Sequence, residues 1–450
     1  MPELLPGGGA EADEAPDDFP WASPAPAPLD DDGDGRLARA ERLRLQATAL
    51  ERATLQRRAK YVHLELEYGV GARGRSTPEP PPPELRLYSS EGYTTPGDSG
   101  APQNVRPAWF DADLFLEGQR VARENHAGIA EAEMLSLFLL LAFPAGLDPL
   151  VATGRSDSPE TAGRRYLSTS RRLVSWYTSD PFDPRSEAHR NLVAVRGMHA
   201  QVRRACNEAS PEELAIKFTI GKDKPRPLTC PRSTLLDQSG GLVDGLPAVK
   251  VRADRYRRPF LTQGEMAITQ WGFFGLFITK PQVFAAPRVT PGELAALVHM
   301  WAVLGYCLGI EDRFNWALGG LDAVQRRSEL YLRTVAVPNL RLLGQDGSAC
   351  WEHMCRCMVD GMSRFAPLAG FDVHLAYLTE DVLGLGTGLA KTLSWRQTFQ
   401  LWRLRALLQY LPRWLPSWGR WMSRGLHHLL VAKAMQAAAE EDPVDGVPAH

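Results

Sequence analysis

VRGMHAQVRR, Val195–Arg204, is the stretch on which the fold turns. Its histidine, His199, shares an apolar face with Val195 and Val202 at helical spacing. Arg203 follows one turn later. Upstream, RRYLST (Arg164–Thr169) sets Arg165 and Thr169 one turn apart. An imidazole on an apolar face can ligate a haem iron, an arginine beside it can meet a propionate, and a polar pair can face bound oxygen. The same residues also read as a satisfied core histidine, an arginine in a salt bridge and a threonine bonded back to a helix carbonyl. Spacing alone leaves both readings open.

Outward from this stretch the pattern is helical. Ser158, Pro159 and Glu160 make a legible helix start: a hydroxyl to cap a free N–H, a proline where no N–H is needed, and an acid at the positive end of the dipole. That helix is expected to run to about Tyr177 and to stop in the turn through Asp180, Pro181, Asp183 and Pro184. The His199 helix is expected over 186–208. Trp109–Phe143 reads as helix up to Pro144 and Gly146, and further helices are expected over 262–279, 291–310 and 348–365. Residues 217–257 are mixed and turn-rich. No run of alternating strands and no internal repeat stands out, so the fold class is all-α.

The flanks differ in composition. Residues 1–34 are expected to be a disordered tail: Glu3–Asp34 holds ten acids and no base. Residues 35–71 are expected as a helix, with its apolar pattern over 36–67, and 72–104 as a proline-rich linker. The main domain is placed at 105–380. Residues 381–450 are expected to be basic, tryptophan-rich helices and a tail; Val382–Ala439 carries eight Lys/Arg and no acid. Trp395, Trp402, Trp414, Trp418 and Trp421 among Arg403, Arg405, Arg413, Arg420 and Arg424 suit either a membrane surface or docking on the main domain.

Other classes recede. Net charge is −2 and no binding module accompanies the basic residues, so nucleic acid is not an expected partner. Six cysteines in 450 residues make no disulfide framework, and the N-terminal sequence shows no signal peptide, so an intracellular, reducing compartment is expected. Leu294–Ile310 reads as a buried core helix rather than a span. Cys350, His353, Cys355 and Cys357 fit no common zinc spacing, and GVGARG at 69–74 lacks the helix a nucleotide loop needs. His299 is expected to be a hydrogen-bonded structural residue, and Trp271, Phe273, Phe274 and Phe277 either line an apolar tunnel or pack in the core.

Five strings, DADLFLEGQ (Asp111–Gln119), TGRSDSPETAGRRYLST (Thr153–Thr169), VRGMHAQVRR, LTQGEMAITQWGFFG (Leu261–Gly275) and HMWAVLGYCLGIEDRFN (His299–Asn315), occur in an order that resembles one family. Residues 110–345 resemble the rubber oxygenase (latex clearing protein) catalytic domain, a family that includes the ER-bound fungal oxygenase cleaving a farnesyl chain; the last two strings look most like its animal branch. The resemblance implies a globin-like helical bundle around a haem pocket, with haem b as cofactor and O₂ as co-substrate. It implies His199 as the iron ligand, Arg203 as a further cofactor-binding residue, and Arg165 and Thr169 as catalytic residues on the oxygen side. Where rubber oxygenases can carry a lysine before that threonine, this chain has Ser168. Their candidate base, a glutamate, has no clear counterpart; Asp148 lies near the expected distance. The implied function is haem-dependent oxygenation or oxidative cleavage of a hydrophobic, isoprenoid-type small molecule or lipid. The alternatives are a non-catalytic haem sensor or carrier and a haem-free helical scaffold at a membrane surface.

Overall fold

Hydroxyl caps divide the chain into helices. Ser158, Ser186, Ser210, Thr262, Thr290 and Ser394 each accept a hydrogen bond from the backbone N–H three residues on. Each such cap is worth about 1 kcal/mol. The computed structural model describes Glu51, 53–54, 57–58, Leu85, 91–220, 255–342, 348–365, 368–415, 417–426 and 428–429, with the strands Val62–Tyr68 and Pro247–Ala253.

The helices are α1 (Ala112–Glu124), α2 (His126–Leu141), α3 (Pro144–Ala152), α4 (Pro159–Trp176), α5 (Glu187–Glu208), α6 (Pro211–Lys217), α7 (Gln263–Thr279) and α8 (Pro291–Cys307). They continue with α9 (Leu321–Tyr331), α10 (Ser348–Met362), α11 (Phe371–Ala376) and α12 (Trp395–Arg405). After α9, α11 and α12 the helix widens into a π turn, at Leu332–Ala336, Tyr377–Val382 and Ala406–Tyr410. The fold is all-α, with one antiparallel ribbon of β1 (Val62–Tyr68) and β2 (Pro247–Ala253) among the described residues; Val62 pairs with Ala253 and Tyr68 with Pro247.

That ribbon corrects one expectation. The helix read over 36–67 gives way at Val62 to a strand, and residues 36–50 lie outside the described residues. VHLELEY alternates apolar and polar residues with period two, a strand signal that the preceding Ala/Arg-rich pattern obscured. The proline-rich linker at 72–104 is corrected too. From Glu91 onward it packs on the body: Tyr93 is buried, Gly97 N–H donates to Leu261 O at 3.0 Å, and Ser99 N–H to Gly309 O at 2.8 Å. The acidic tail and GVGARG lie outside the described residues.

α1 packs on α8, α2 on α7, and α4 on α10. The core carries whole aromatic rings with no exposure, among them Trp271, Trp301, Trp316 and Trp351. Burying such rings is the main favourable term in a fold of this size. α4 and α10 come close because Gly163 and Gly361 face each other: a Cβ on Gly361 would strike Pro159 O and the Gly163 backbone. α8 is the buried core helix expected from Leu294–Ile310. No single helix among the described residues is long and apolar enough to cross a membrane; α2 and α3 reach that length only together, across a 97° bend.

Candidate functional site

α5 presents Arg196, His199 and Arg203 at intervals of three and four residues, so the three share one helical face. Both arginines are buried. Asp98 holds the first: Arg196 Nε lies 3.1 Å from each Asp98 oxygen, Nη2 also bonds Oδ1, and Nη1 donates to Ala101 O at 2.8 Å. Arg203 pairs with Glu51 and, at 4.0 Å, with Asp98 Oδ2. Burial alone would raise the Asp98 pKa. The Arg196 hydrogen bonds and charge, with the Gly100 N–H and Arg203, overcome it and hold that carboxyl below its ordinary value. Two cations thus face two anions, which is the condition for burying them.

His199 differs from both neighbours. Its Nδ1 is buried without a hydrogen bond, and among the described residues neither ring nitrogen has a partner. Burial pushes its pKa down to about 4, helped by the charges of Arg203 and Arg165 and opposed by Asp98. The ring is therefore neutral at pH 7, the state in which an imidazole can donate a lone pair to a metal. The charges of Arg203 on α5 and Arg165 on α4 therefore both bear on this ring.

α4 supplies that second arginine. Its start follows the expected pattern, with Ser158 and Thr161 closing a reciprocal cap and Pro159 in the first turn. Arg165 Nη1 donates to Thr153 Oγ1 at 3.3 Å and to Ser156 Oγ at 3.2 Å. Among the described residues it has no carboxylate partner, and burial lowers its pKa. The Thr169 hydroxyl donates back to Arg165 O at 3.2 Å, leaving its lone pairs free to accept. Among the described residues Arg203 is thus tied to carboxylates and Arg165 is not. Ser168, at the lysine position of the resemblance, accepts from Arg172 at 3.2 Å.

A second charge cluster takes Asp148. This residue has no exposure and bonds Arg255 Nε at 2.9 Å and Nη2 at 2.5 Å, with Arg258 at 3.6 Å. Arg258 also donates to Glu265 at 2.5 Å. Asp148 is thus held between two arginines.

The remaining candidates resolve into structure. His299 Nε2 lies 3.1 Å from the backbone of Asp111, and its ring meets Trp109 edge-on at 5.9 Å. Trp271, Phe274 and Phe277 are fully buried, and Phe273 stacks on Trp301 at 4.9 Å, so the α7 aromatics are core. His353 Nε2 is 2.8 Å from Asp157 O and 3.5 Å from Cys357 Sγ. No group of three metal-ligating side chains occurs among the described residues, and the five described cysteines are free thiols.

α2 hides two acids that composition did not single out. Glu131 and Glu133 have pKa values pushed up to about 8 by burial, and for Glu133 a hydrogen bond from the Tyr177 hydroxyl at 3.3 Å only partly offsets this. Glu131 lies 3.5 Å from His374, whose pKa burial pushes down to about 4. The sign of the Glu133 effect follows by linkage. The folded state keeps a proton that the unfolded chain releases from about pH 4.5, so this stability is full below 4.5 and is lost as pH rises through 8. Glu133→Gln, which mimics the protonated form, should match wild type at pH 4 and exceed it at pH 8. The gain should be at most about 1.4 kcal/mol per pH unit crossed. Urea unfolding at the two pH values checks this.

Residues 126–442 match the family model described as ER-bound oxygenase mpaB/B'/Rubber oxygenase, catalytic domain. The match runs past residue 380 and so takes in α12. The chain is also similar to a solved structure of latex clearing protein LCP in the closed state, at 16% identity over 92% of this chain and 84% of that one, with a TM-score of 0.41. No curated protein matches the chain. With well over half of its length matched, the chain belongs to the ER-bound oxygenase mpaB/B'/rubber oxygenase catalytic-domain family, and an oxygenase activity follows from that membership.

Proposed function

We propose that this protein is a haem b-dependent oxygenase that uses O₂ on a hydrophobic, isoprenoid-type substrate. The observation that carries the reading is His199: among the described residues it is a neutral imidazole with no hydrogen-bond partner, and it feels the charge of Arg165, which among the same residues has no carboxylate partner. Leaving a buried nitrogen unsatisfied costs about 1–3 kcal/mol, a cost that a ligand bond would recover. These residues fit haem as a donor set. Haem, when bound, would supply the oxygen activation.

The side chains have separate tasks. His199 offers the iron ligand. Arg203, fixed by Glu51 and Asp98, orients the α5 face and helps keep the imidazole unprotonated. Arg165 is the guanidinium available to an anionic group, a propionate or charge that builds during the reaction. Thr169 lies one turn on and keeps an acceptor free beside it. The isoprenoid class is supported by the rubber oxygenase in the family's description.

A haem carrier or sensor without turnover is the second reading. It is favoured by Asp148, which is committed to two arginines and cannot serve as a base. Oxygen uptake by the haem-loaded protein with a prenyl lipid separates the two. The first reading expects uptake that falls at least about tenfold, equivalent to the ~1.4 kcal/mol of one hydrogen bond, in Arg165→Ala and Thr169→Ala. Haem binding without uptake on any prenyl substrate favours the carrier.

A further inference from the structure

The described residues expose twelve large apolar side chains, and seven of them fall between Trp395 and Trp421. Trp395, Phe399 and Trp402, exposed by 77%, 60% and 60%, follow each other at four and three residues along α12. Trp414, 83% exposed, closes the short helix Leu411–Trp414, and after the extended Leu415 the chain turns back into helix with Trp421 64% exposed and Trp418 half-buried. Between α12 and Trp414 the helix widens into the π turn at Ala406–Tyr410.

This region is anchored. Leu401 and Leu408 are buried, and Ala285 N–H donates to Leu408 O at 2.9 Å. Arg405 forms a forked pair with Asp381, with Nη2 at 2.7 Å from Oδ2, and Gln397 donates to Asp372 at 3.0 Å. Trp418 Nε1 bonds Leu407 O at 3.0 Å, and Ala127 N–H bonds Ser423 Oγ at 3.1 Å. α12 and the chain after it are therefore anchored to the body while Trp395, Phe399, Trp402, Trp414 and Trp421 stay exposed. Stacking organises the rings: Phe399 on Trp402 at 6.1 Å, Trp418 on Trp421 at 5.0 Å, and the Arg396 guanidinium over Trp395 at 5.2 Å.

We propose that this aromatic and basic region docks on an anionic lipid membrane surface. Indole rings are amphipathic and settle at the level of lipid headgroups. Arg396, Arg413, Arg420 and Arg424 are exposed among them, and no acid occurs from Val382 to Ala439 to repel a phosphate or carboxylate headgroup. A second copy of the chain fits poorly, because a two-fold contact would set the same exposed arginines, Arg396, Arg413, Arg420 and Arg424, against each other. With no helix able to cross the bilayer among the described residues, contact would be made from one side. The inference stands whether or not haem binds.

The test uses the full chain and sucrose-loaded vesicles of phosphatidylcholine, with and without phosphatidylserine. Co-sedimentation should require phosphatidylserine and weaken with salt, and tryptophan emission should shift to the blue. Arg396→Gln/Arg413→Gln/Arg420→Gln should lose about a hundredfold in partitioning, since each basic residue near a charged surface contributes about a fivefold factor. Trp395→Ser/Trp414→Ser/Trp421→Ser should lose the blue shift with an unchanged melting temperature, because these rings are exposed. No sedimentation with either vesicle, equal binding to neutral vesicles, or a dimer that the serine variant dissolves would overturn the proposal.

Discussion

An Asp98→Asn protein should be about 3–5 kcal/mol less stable than wild type at pH 7. Among the described residues Asp98 is the carboxylate that touches both arginines of the α5 face, and Arg196 and Arg203 keep only 10% and 5% of their side chains exposed. The amide is the same size, but it removes the charge and turns an N–H₂ donor toward a guanidinium. Arg196 then becomes a buried cation with no anion among the described residues. The pH dependence follows from the depressed Asp98 pKa. Its contribution is complete above the ordinary carboxylate value and is lost as pH falls through the folded value. Wild type and variant should therefore converge in acid. Equilibrium urea unfolding at pH 7 and at acid pH measures both points; equal stability at pH 7 would remove Asp98 from the account of the site.

The second large effect is expected at Asp148. Asp148→Ala takes one of the two carboxylates seen beside Arg258 among the described residues, Asp148 and Glu265, from a side chain that is 4% exposed, and also removes the carboxylate paired with Arg255. The loss should again be about 3–5 kcal/mol. Arg255 is 38% exposed and can turn to water, so Arg255→Gln should cost much less, within about 1 kcal/mol. The two substitutions remove opposite ends of one ion pair. Their inequality, read from unfolding midpoints, distinguishes a buried anion that serves Arg258 from a surface pair.

Local signals were legible and long-range ones were not. Ser158, Pro159 and Glu160 announce α4 because a cap is chemistry between residues three apart. The all-α class follows from the same kind of pattern. Asp98 was hidden because TTPGDSGAP has the composition of a linker, and its role depends on Arg196, which is distant in sequence. Arg196 itself stood in the opening string, three residues before His199, and helical spacing could have found it. Asp148 and its arginines are more than a hundred residues apart, so no local pattern connects them. β1 was legible only as an alternation of seven residues beside a longer helical pattern. The availability of Arg165 and the commitment of Arg203 follow from which carboxylates the fold delivers, and one-turn spacing carries no information about that.

The central claim concerns the His199 imidazole, and one absorption spectrum tests it most directly. Purified protein incubated with haemin should show a shifted, sharpened Soret band at one equivalent. His199→Ala, checked for native helicity by circular dichroism, should lose that band at the same haemin concentration. A wild-type protein that leaves the haemin spectrum unchanged, or a folded alanine variant that keeps the wild-type band, would contradict the assignment of His199 as the ligand.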